Sequence, residues 1–252
     1  MPYQLQIGVE TPSDSTVIWR YFDLPKLLLL LENRSLYFAL IKKLDDAWEC
    51  IISNRYRASV ASYAPSASGT LIEMIQSFTK NLGVSCWHID NDESIAMWSL
   101  YTSWKPGSRT DCYGTAIKTS VGRLKSAFEE AREKVVIGSV HYENHDADLA
   151  HWRPPLDGNT AFDPAFQKRA CYRHEHELRA SIIIEPDPPD PFPLNGASVH
   201  IDLDRLIERI VLCPGFPKFG EVLLKSALSR AGINPILAVS SLPKLPSECG
   251  FS

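Results

Sequence analysis

The sequence lacks several features that would place a protein in a specialised class. No apolar run approaches the roughly 20 residues of a membrane-spanning helix, since the longest cover residues 27–31 and 36–41. The N-terminal residues have no basic stretch followed by an apolar one, so no secretory signal is expected. Lys and Arg number 26 against 30 Asp and Glu. That balance disfavours a protein held to nucleic acid mainly by a basic surface.

The cysteines lack the spacing of a metal site or of a disulfide framework. An even count would allow disulfides, but no C-x-x-C pair and no export signal accompany it. Free thiols in a reducing cytoplasm, without a structural zinc ion, are therefore expected. The six residues are Cys50, Cys86, Cys112, Cys171, Cys213 and Cys249.

The composition is that of a globular protein, with 44% apolar and 22% charged residues in 252. Strand-like and helix-like stretches alternate without regular helices between the strands. This pattern predicts a single α+β domain over residues 1–252 with mixed or antiparallel sheets and peripheral helices. Residues 1–15 are expected to form a lead-in and residues 242–252 a C-terminal tail. The proline-rich segment 185–196 is interpreted as a stiff surface loop, with a linker between two domains as the alternative.

Hydrophobic periodicity and turn residues predict the individual elements. Strands are expected at 15–21, 36–41, 84–88, 113–118, 135–142, 177–184, 199–203, 207–212 and 236–239. Helices are expected at 24–32 with Asp23 as N-cap, and at 70–81, 94–103, 121–134, 162–172 and 218–231. The polar segment 143–159 is expected to be a surface loop.

Arg20 is the first candidate functional residue, because it lies between Trp19 and Tyr21 at the end of the first predicted strand. A guanidinium flanked by aromatic rings can bind phosphate or carboxylate. The alternative is a salt-bridged arginine on an exposed strand. Trp98 and Tyr101, three residues apart on one helical face, could hold a flat ring or pack in the core.

Two further segments carry candidate groups. Thr119 and Ser120 end an apolar strand before a helix, where they could cap the helix or bind an anion. Glu175, Glu177 and Arg179 would share one face of an extended strand, as a surface ion-pair ladder or as a site. The neighbouring His-Glu-His triplet lacks the helical-turn spacing of a zinc-binding pair, so no metal is expected.

In chain order these motifs resemble a large family catalogued as domain of unknown function number 2971, whose name implies no activity. The similarity runs from about residue 17 to residue 241. Its motifs are Trp19-Arg20-Tyr21, Ser85-Cys86-Trp87-His88, Glu93-Ser94, Met97-Trp98, Tyr101, the segment 114–120, Gly122-Arg123-Leu124, Lys168-Arg169, the segment 172–179, and the segment 199–203. Asp45-Asp46-Ala47 departs from the Asn-Asp-Pro-type turn that such proteins often carry.

The order of a first-strand arginine, central hydroxyl or aromatic residues, and a Glu-x-Glu opening a later strand also resembles ADP-ribosyltransferases. That resemblance implies a split α+β fold around an NAD cleft. Arg20 would match the first-strand arginine, Ser120 or Thr119 the hydroxyl, and Glu177 the catalytic glutamate, with Glu175 upstream of it. The family's usual Ser-Thr-Ser run is only partly matched by Thr119-Ser120.

The resemblance implies NAD as the substrate and no metal. Glu177 would hold a ribose hydroxyl and stabilise the developing positive charge, and Glu175 would deprotonate the acceptor. Arg20 would clamp the pyrophosphate, and Trp98 or Tyr101 would enclose the nicotinamide. Further cofactor contacts are expected from Tyr21 and Arg179.

Two other functions remain open from the sequence. One is a nucleotide-binding sensor without turnover, and the other is a hydrolase or nuclease that uses Glu175, Glu177 and a divalent ion. The acceptor of a transferase could be a protein, a nucleic acid, a small molecule or water. No membrane association is expected.

Overall fold

The computed structural model describes residues 9–44, 46, 49, 54–106, 111–143, 160–184 and 195–242. The chain forms two compact units that are each discontinuous in sequence. Unit 1 comprises Met1–Pro12, Leu36–Cys86 and Phe128–His200, and unit 2 comprises Ser13–Ser35, Trp87–Ala127 and Ile201–Ser252. The assignment of residues 1–252 to a single domain stays a prediction.

The described residues contain strands and α-helices in irregular alternation. The strands are β1 Val17–Asp23, β2 Ser35–Leu40, β3 Leu82–Ile89, β4 Gly114–Ser120, β5 Val136–Ser139, β6 His141–Glu143, β7 Gln167–Arg169, β8 Glu177–Ile183, β9 Gly196–His200, β10 Arg209–Leu212 and β11 Ile236–Val239. The α-helices are α1 Leu24–Asn33, α2 Asn54–Tyr63, α3 Ser68–Thr79, α4 Ile95–Tyr101, α5 Val121–Ala127, α6 Leu203–Leu206 and α7 Lys218–Ala231. The 3-10 helices are Ile41–Lys43, Thr160–Phe166 and Ala170–Glu175.

Unit 2 is built on antiparallel pairing between β1 and β4, which extends from Val17 opposite Ser120 to Asp23 opposite Gly114. β10 pairs antiparallel with the other side of β4, and β11 pairs parallel with β10. One face of these strands packs on α4 through an aromatic core that contains Tyr21 and Trp98.

In unit 1, β8 lies between β5 and β3 and is antiparallel to β5. β2 pairs antiparallel with β3, and β9 lies beside β2. A separate parallel pair is formed by β6 and β7. The α+β class, with antiparallel and parallel strand pairs and peripheral helices, is therefore confirmed. Among the described residues, no helix combines the length and the apolar content that crossing a membrane requires.

Several predicted elements are wrong in extent or type. The helix expected over 121–134 ends at Ala127, whose carbonyl accepts from Asp202 N at 3.0 Å. The helix expected over 162–172 is two 3-10 helices separated by β7, and Pro164 lies within the first of them. Proline has no N–H to donate, which disfavours a regular α-helix there. The single strand expected over 135–142 breaks at Val140, whose N–H bonds the Glu177 carbonyl at 2.8 Å.

Other differences are smaller. The strand expected at 199–203 is β9 and ends at His200, while residues 203–206 form α6, whose first turn is capped by the Asp202 carboxylate. Asp23 occupies the N-cap position of α1 without capping it, because its carboxylate accepts instead from the N–H and hydroxyl of Ser103. Most of the loops expected at 143–159 and 185–196 and of the tail at 242–252 lies outside the described residues, as do Cys50 and Cys249.

Gly196 is required by the close approach of β9 to β2. A Cβ at this position would overlap the Phe38 carbonyl oxygen and lie 2.6 Å from Cζ of Tyr37. We expect Gly196→Ala to lower the free energy of unfolding by about 1–3 kcal/mol in urea denaturation, because backbone has to move. Gly69→Ala in α3 is the matched control, since nothing lies within 4 Å of its added Cβ. Equal unfolding midpoints for the two variants would contradict the close approach.

Candidate functional site

Five charged side chains are buried together in unit 1, and we call them the buried charge cluster. Glu177 and Arg179 point to the same face of β8 because side chains alternate along a strand. Lys168 lies in β7, Glu175 ends the 3-10 helix before β8, and Glu49 comes from the segment after β2. Each of the five side chains is less than one-tenth exposed. The predicted common face of Glu177 and Arg179 is confirmed.

Glu175 reaches the cluster by a different route from the predicted one. The sequence favours an extended segment that continues into β8, but Glu175 belongs to the 3-10 helix Ala170–Glu175. His176 then adopts a left-handed conformation with φ of 39°, and its N–H bonds the Arg173 carbonyl. This turn, rather than the pleat of a strand, places Glu175 beside the two β8 side chains.

Arg179 is fully buried and joins two of the carboxylates. Its Nη1 and Nη2 atoms donate to both oxygens of Glu49, at 3.0 and 2.9 Å. Nη2 also donates to Oε2 of Glu177 at 3.0 Å, and Nη1 donates to the Ala165 carbonyl at 2.8 Å. The contact with Glu49 is bidentate: two N–H groups of the planar guanidinium each donate to one carboxylate oxygen, which is the strongest arrangement for this kind of pair.

Lys168 lies among all three carboxylates. Its Nζ is 2.6 Å from Glu175, 3.4 Å from Glu177 and 3.5 Å from Glu49, and it also lies 4.7 Å from the centre of the Tyr172 ring. The Lys168 ammonium is therefore the shared cationic partner of the three carboxylates. Within the described part of the chain, no three His, Cys, Asp or Glu side chains are grouped as metal ligands.

The surroundings hold the Glu177 carboxyl in its charged form. Burial acts against ionisation, but the Arg179 guanidinium and the Lys168 ammonium outweigh it, so the pKa of Glu177 is lowered. Burial likewise disfavours the Lys168 ammonium, yet the Glu177 charge and the hydrogen bond to Glu175 raise its pKa. The cluster holds three carboxylates against two cations, so its formal charge is negative.

Two neutral groups border the cluster. Burial, followed by the negative charge of Glu177, raises the pKa of the Cys86 thiol, which keeps it protonated. The Tyr142 hydroxyl accepts the Glu177 backbone N–H at 2.8 Å, and burial raises the pKa of this phenol too. Both groups fix the position of Glu177 without adding charge.

These pKa shifts predict how stability depends on pH. Glu177 stabilises the folded state fully above its usual pKa of 4.5, and that contribution is lost as the pH falls through the lower folded value. Lys168 contributes fully below its usual 10.5 and loses the contribution as the pH rises through the higher folded value. We expect Glu177→Gln to flatten the fall in unfolding free energy below pH 4.5, measured in urea. An acid limb as steep as that of the wild type would contradict the assignment.

The aromatic residues that were predicted to contact the cofactor lie in unit 2, and most of them pack in its core. The Tyr21 ring meets Trp98 edge-on at 5.0 Å, and its hydroxyl accepts from Ser94 N. Trp98 has no exposed surface and donates its indole N–H to Glu93 at 3.1 Å, whereas Tyr101 is 45% exposed. Core packing thus accounts for Trp98, which as placed here offers no face to a ligand ring.

The remaining predicted contacts also belong to unit 2. Arg20 points to the opposite face of β1 from Tyr21, with its guanidinium 5.6 Å from the centre of the Trp87 ring. Thr119 is buried and donates to the Leu206 carbonyl at 2.6 Å. The Ser120 hydroxyl accepts from Arg123 N, which confirms its predicted capping role. Glu175, Glu177 and Arg179 belong to unit 1.

Sequence reasoning missed Glu49 and Lys168 as members of the cluster. Lys168 stands within a motif of the family resemblance but carries no pattern that indicates its carboxylate partners. Glu49 is 130 residues from Arg179 and has no local signal. Asp46, in the loop that departs from the family pattern, forms a bidentate ion pair with Arg169. This contact gives that loop a structural role.

Comparison with known proteins gives little similarity in sequence. No protein-family model matches the chain, so the resemblance to domain of unknown function number 2971 has no such support. No curated protein matches it either. Among solved structures, the chain is similar to Thermus sp. 2.9 DarT in complex with ADP-ribosylated ssDNA. The alignment covers 92% of this chain and 97% of that chain, at 11% identity and a TM-score of 0.39. A similarity at this level does not transfer an activity.

Proposed function

We propose that this chain is an ADP-ribosyltransferase-like protein that consumes NAD, with Glu177 as its catalytic carboxylate. The observation that carries the proposal is the buried, ionised Glu177 at the start of β8, held by Arg179 and Lys168 in a cluster of negative formal charge. An oxocarbenium-like transition state carries a developing positive charge. A carboxylate that is held in place and shielded from water stabilises that charge strongly.

In the proposed reaction, the bond between ribose C1′ and the nicotinamide nitrogen breaks, and its electron pair leaves with neutral nicotinamide. Glu177 accepts a hydrogen bond from a ribose hydroxyl and stabilises the positive charge that develops on the sugar. The nucleophilic atom of the acceptor then bonds to C1′ and releases its proton to Glu175. Because Lys168 lies 2.6 Å from Glu175, the acceptor has to share that carboxylate with the ammonium.

The other predicted cofactor contacts stay part of the proposal. Arg20 is assigned to the pyrophosphate, Tyr101 to the nicotinamide, and Ser120 to the hydroxyl contact. The proposal assigns no direct contact to Tyr21, Trp98 and Thr119, which were also predicted to bind the cofactor, because they are buried in unit 2. Arg179 acts by positioning Glu177. The reaction requires NAD as substrate and no metal ion, and the chain is proposed to act in the cytoplasm.

A second candidate function is a nucleotide sensor without turnover. It is favoured by the fact that every carboxylate of the cluster already has a cationic partner, as in a purely structural ion-pair network. In a sensor, the charge of Glu177 would stabilise the folded state and would take no part in a chemical reaction.

Calorimetric titration with NAD, followed by incubation with candidate acceptors, tests the proposal. A transferase binds NAD and yields an acceptor that carries ADP-ribose, detected by mass spectrometry on a protein extract, a single-stranded oligonucleotide and a small-molecule nucleophile. Free ADP-ribose without a modified acceptor identifies water as the acceptor. Binding without any of these products identifies a sensor, and absence of NAD binding contradicts the transferase and a sensor of NAD.

A further inference from the structure

Unit 2 contains an open groove of about 380 Å³ that none of the proposed catalytic groups uses. Its floor is the row formed by Trp19, Lys118 and Arg209, which lie directly opposite one another on β1, β4 and β10. One wall is the turn at residues 91–93 and the other is the end of β11 with Ser241 and Leu242. A groove of this volume accommodates a small ligand or part of a larger one.

The two cations in this row repel each other. Side chains directly opposite on antiparallel strands lie within contact distance, and like charges in such a pair are destabilising. Lys118 and Arg209 form that pair. Lys118 is held in place by the Asn91 carbonyl, 3.0 Å from its Nζ, and by the Trp19 ring, 4.8 Å away. These two contacts fix the position of the Lys118 ammonium on the Trp19 side of the row.

Arg209 supplies a second, independent observation. It is half-buried, and its Nε is shielded from solvent without a hydrogen-bond partner among the described residues. A buried donor without a partner is costly, because it has lost its water and gained nothing in return. Because this atom is shielded, satisfying it requires the Arg209 side chain to turn toward an acceptor in the groove that it lines.

Two acidic residues also line the groove, but among the described residues neither forms an ion pair with Lys118 or Arg209. Glu93 accepts the Trp98 indole N–H at 3.1 Å and the Ser241 N–H at 3.2 Å, so its oxygens are directed to those donors. Asp92 is exposed, and solvent and salt screen a charge at that position. Lys118 and Arg209 remain the groups that a ligand in the groove would meet on its floor.

We infer that this groove is a binding site for a phosphate-bearing ligand, with Arg209 donating to the phosphate and Lys118 supplying the second positive charge. A phosphate removes the repulsion between the two cations and gives the Arg209 guanidinium the acceptor that its geometry suits. The shared chemistry is a phosphate ester, carried by a free nucleotide or by a nucleic-acid strand. The inference does not rest on the proposed reaction, because it concerns binding in unit 2 alone.

Calorimetric titration of the full chain with inorganic pyrophosphate tests the site. We expect saturable binding that weakens as salt is added, and at least tenfold weaker binding for Arg209→Met and for Lys118→Met. Lys225→Met is the matched control, because Lys225 is an exposed cation of the same unit, paired with Glu221 on α7. Urea unfolding of each variant checks that the protein stays folded under the conditions of the titration.

Two results would overturn the inference: no pyrophosphate binding to the wild type, or an affinity of Arg209→Met equal to that of Lys225→Met. If pyrophosphate binds as expected, titrations with ADP and with a short single-stranded oligonucleotide distinguish the two possible sources of the phosphate. Tighter binding of ADP assigns a free nucleotide, and tighter binding of the oligonucleotide with a steeper dependence on salt assigns a nucleic-acid strand.

Discussion

Glu177→Gln is expected to lower the rate of nicotinamide release from NAD by about 10²- to 10³-fold while the protein stays folded. Glutamine keeps the size of the side chain and its ability to accept a hydrogen bond, but it removes the negative charge. Loss of one preorganised electrostatic group in an enzyme site typically has an effect of this size. The rate is measured by chromatography of released nicotinamide, and NAD affinity, measured by calorimetry, is expected to stay within a few-fold of the wild type.

Glu49→Gln is the matched control for this prediction. Glu49 belongs to the same cluster, contacts the same two cations and is buried to a similar extent, but it has no assigned role in the reaction. If Glu177 is catalytic, Glu49→Gln lowers stability and retains nicotinamide release at a temperature where it is folded. If both variants lose activity to the same extent, the charge of Glu177 is needed only to keep the buried charge cluster folded and has no separate catalytic role.

Arg179→Met is expected to lower the free energy of unfolding by about 3–5 kcal/mol, the range found when one partner of a buried ion pair is removed. Arg179 is fully buried, and its loss leaves Glu49 without its bidentate partner and Glu177 with Lys168 as its cationic partner among the described residues. The effect is measured by urea denaturation near neutral pH. Arg230→Met on the exposed side of α7 is expected to change it by less than about 0.5 kcal/mol.

The double variant Arg179→Met with Glu49→Gln separates lost packing from unpaired charge. Removing the stranded carboxylate should restore part of the stability lost in Arg179→Met, because an uncompensated buried charge is the main cost. Additive destabilisation by the two substitutions would contradict this explanation. It would indicate that the shape of the two side chains, rather than their charges, holds the cluster together.

Much of the fold follows from local sequence patterns. Helix α7 and strand β11 have the predicted bounds, and β8 ends within one residue of the prediction. These elements have strong periodicity and clear turn residues at their ends, so local preference and tertiary packing agree. The helix predicted at 121–134 fails because its periodic pattern continues past Ala127, where a tertiary hydrogen bond from Asp202 replaces the next helical turn.

The charge cluster could be predicted only in part. Alternation along β8 places Glu177 and Arg179 on one face from sequence alone. The contribution of Glu175 depends on the left-handed His176, a conformation uncommon for a residue other than glycine. Glu49 reaches the cluster by a contact with Arg179, 130 residues away, and a single sequence carries no record of such a pairing. Lys168 is only 7 residues from Glu175, but the 3-10 helix between them has no regular period from which their contact could be predicted.

Release of nicotinamide from NAD by the purified wild-type protein tests the central claim most directly. The proposed function predicts release that is catalytic, with several turnovers per protein molecule, and that continues in the presence of a metal chelator. Absence of nicotinamide release with water, protein, oligonucleotide and small-molecule acceptors would contradict the proposed reaction. Release that stops on chelation would instead assign the chemistry to a metal-dependent hydrolase.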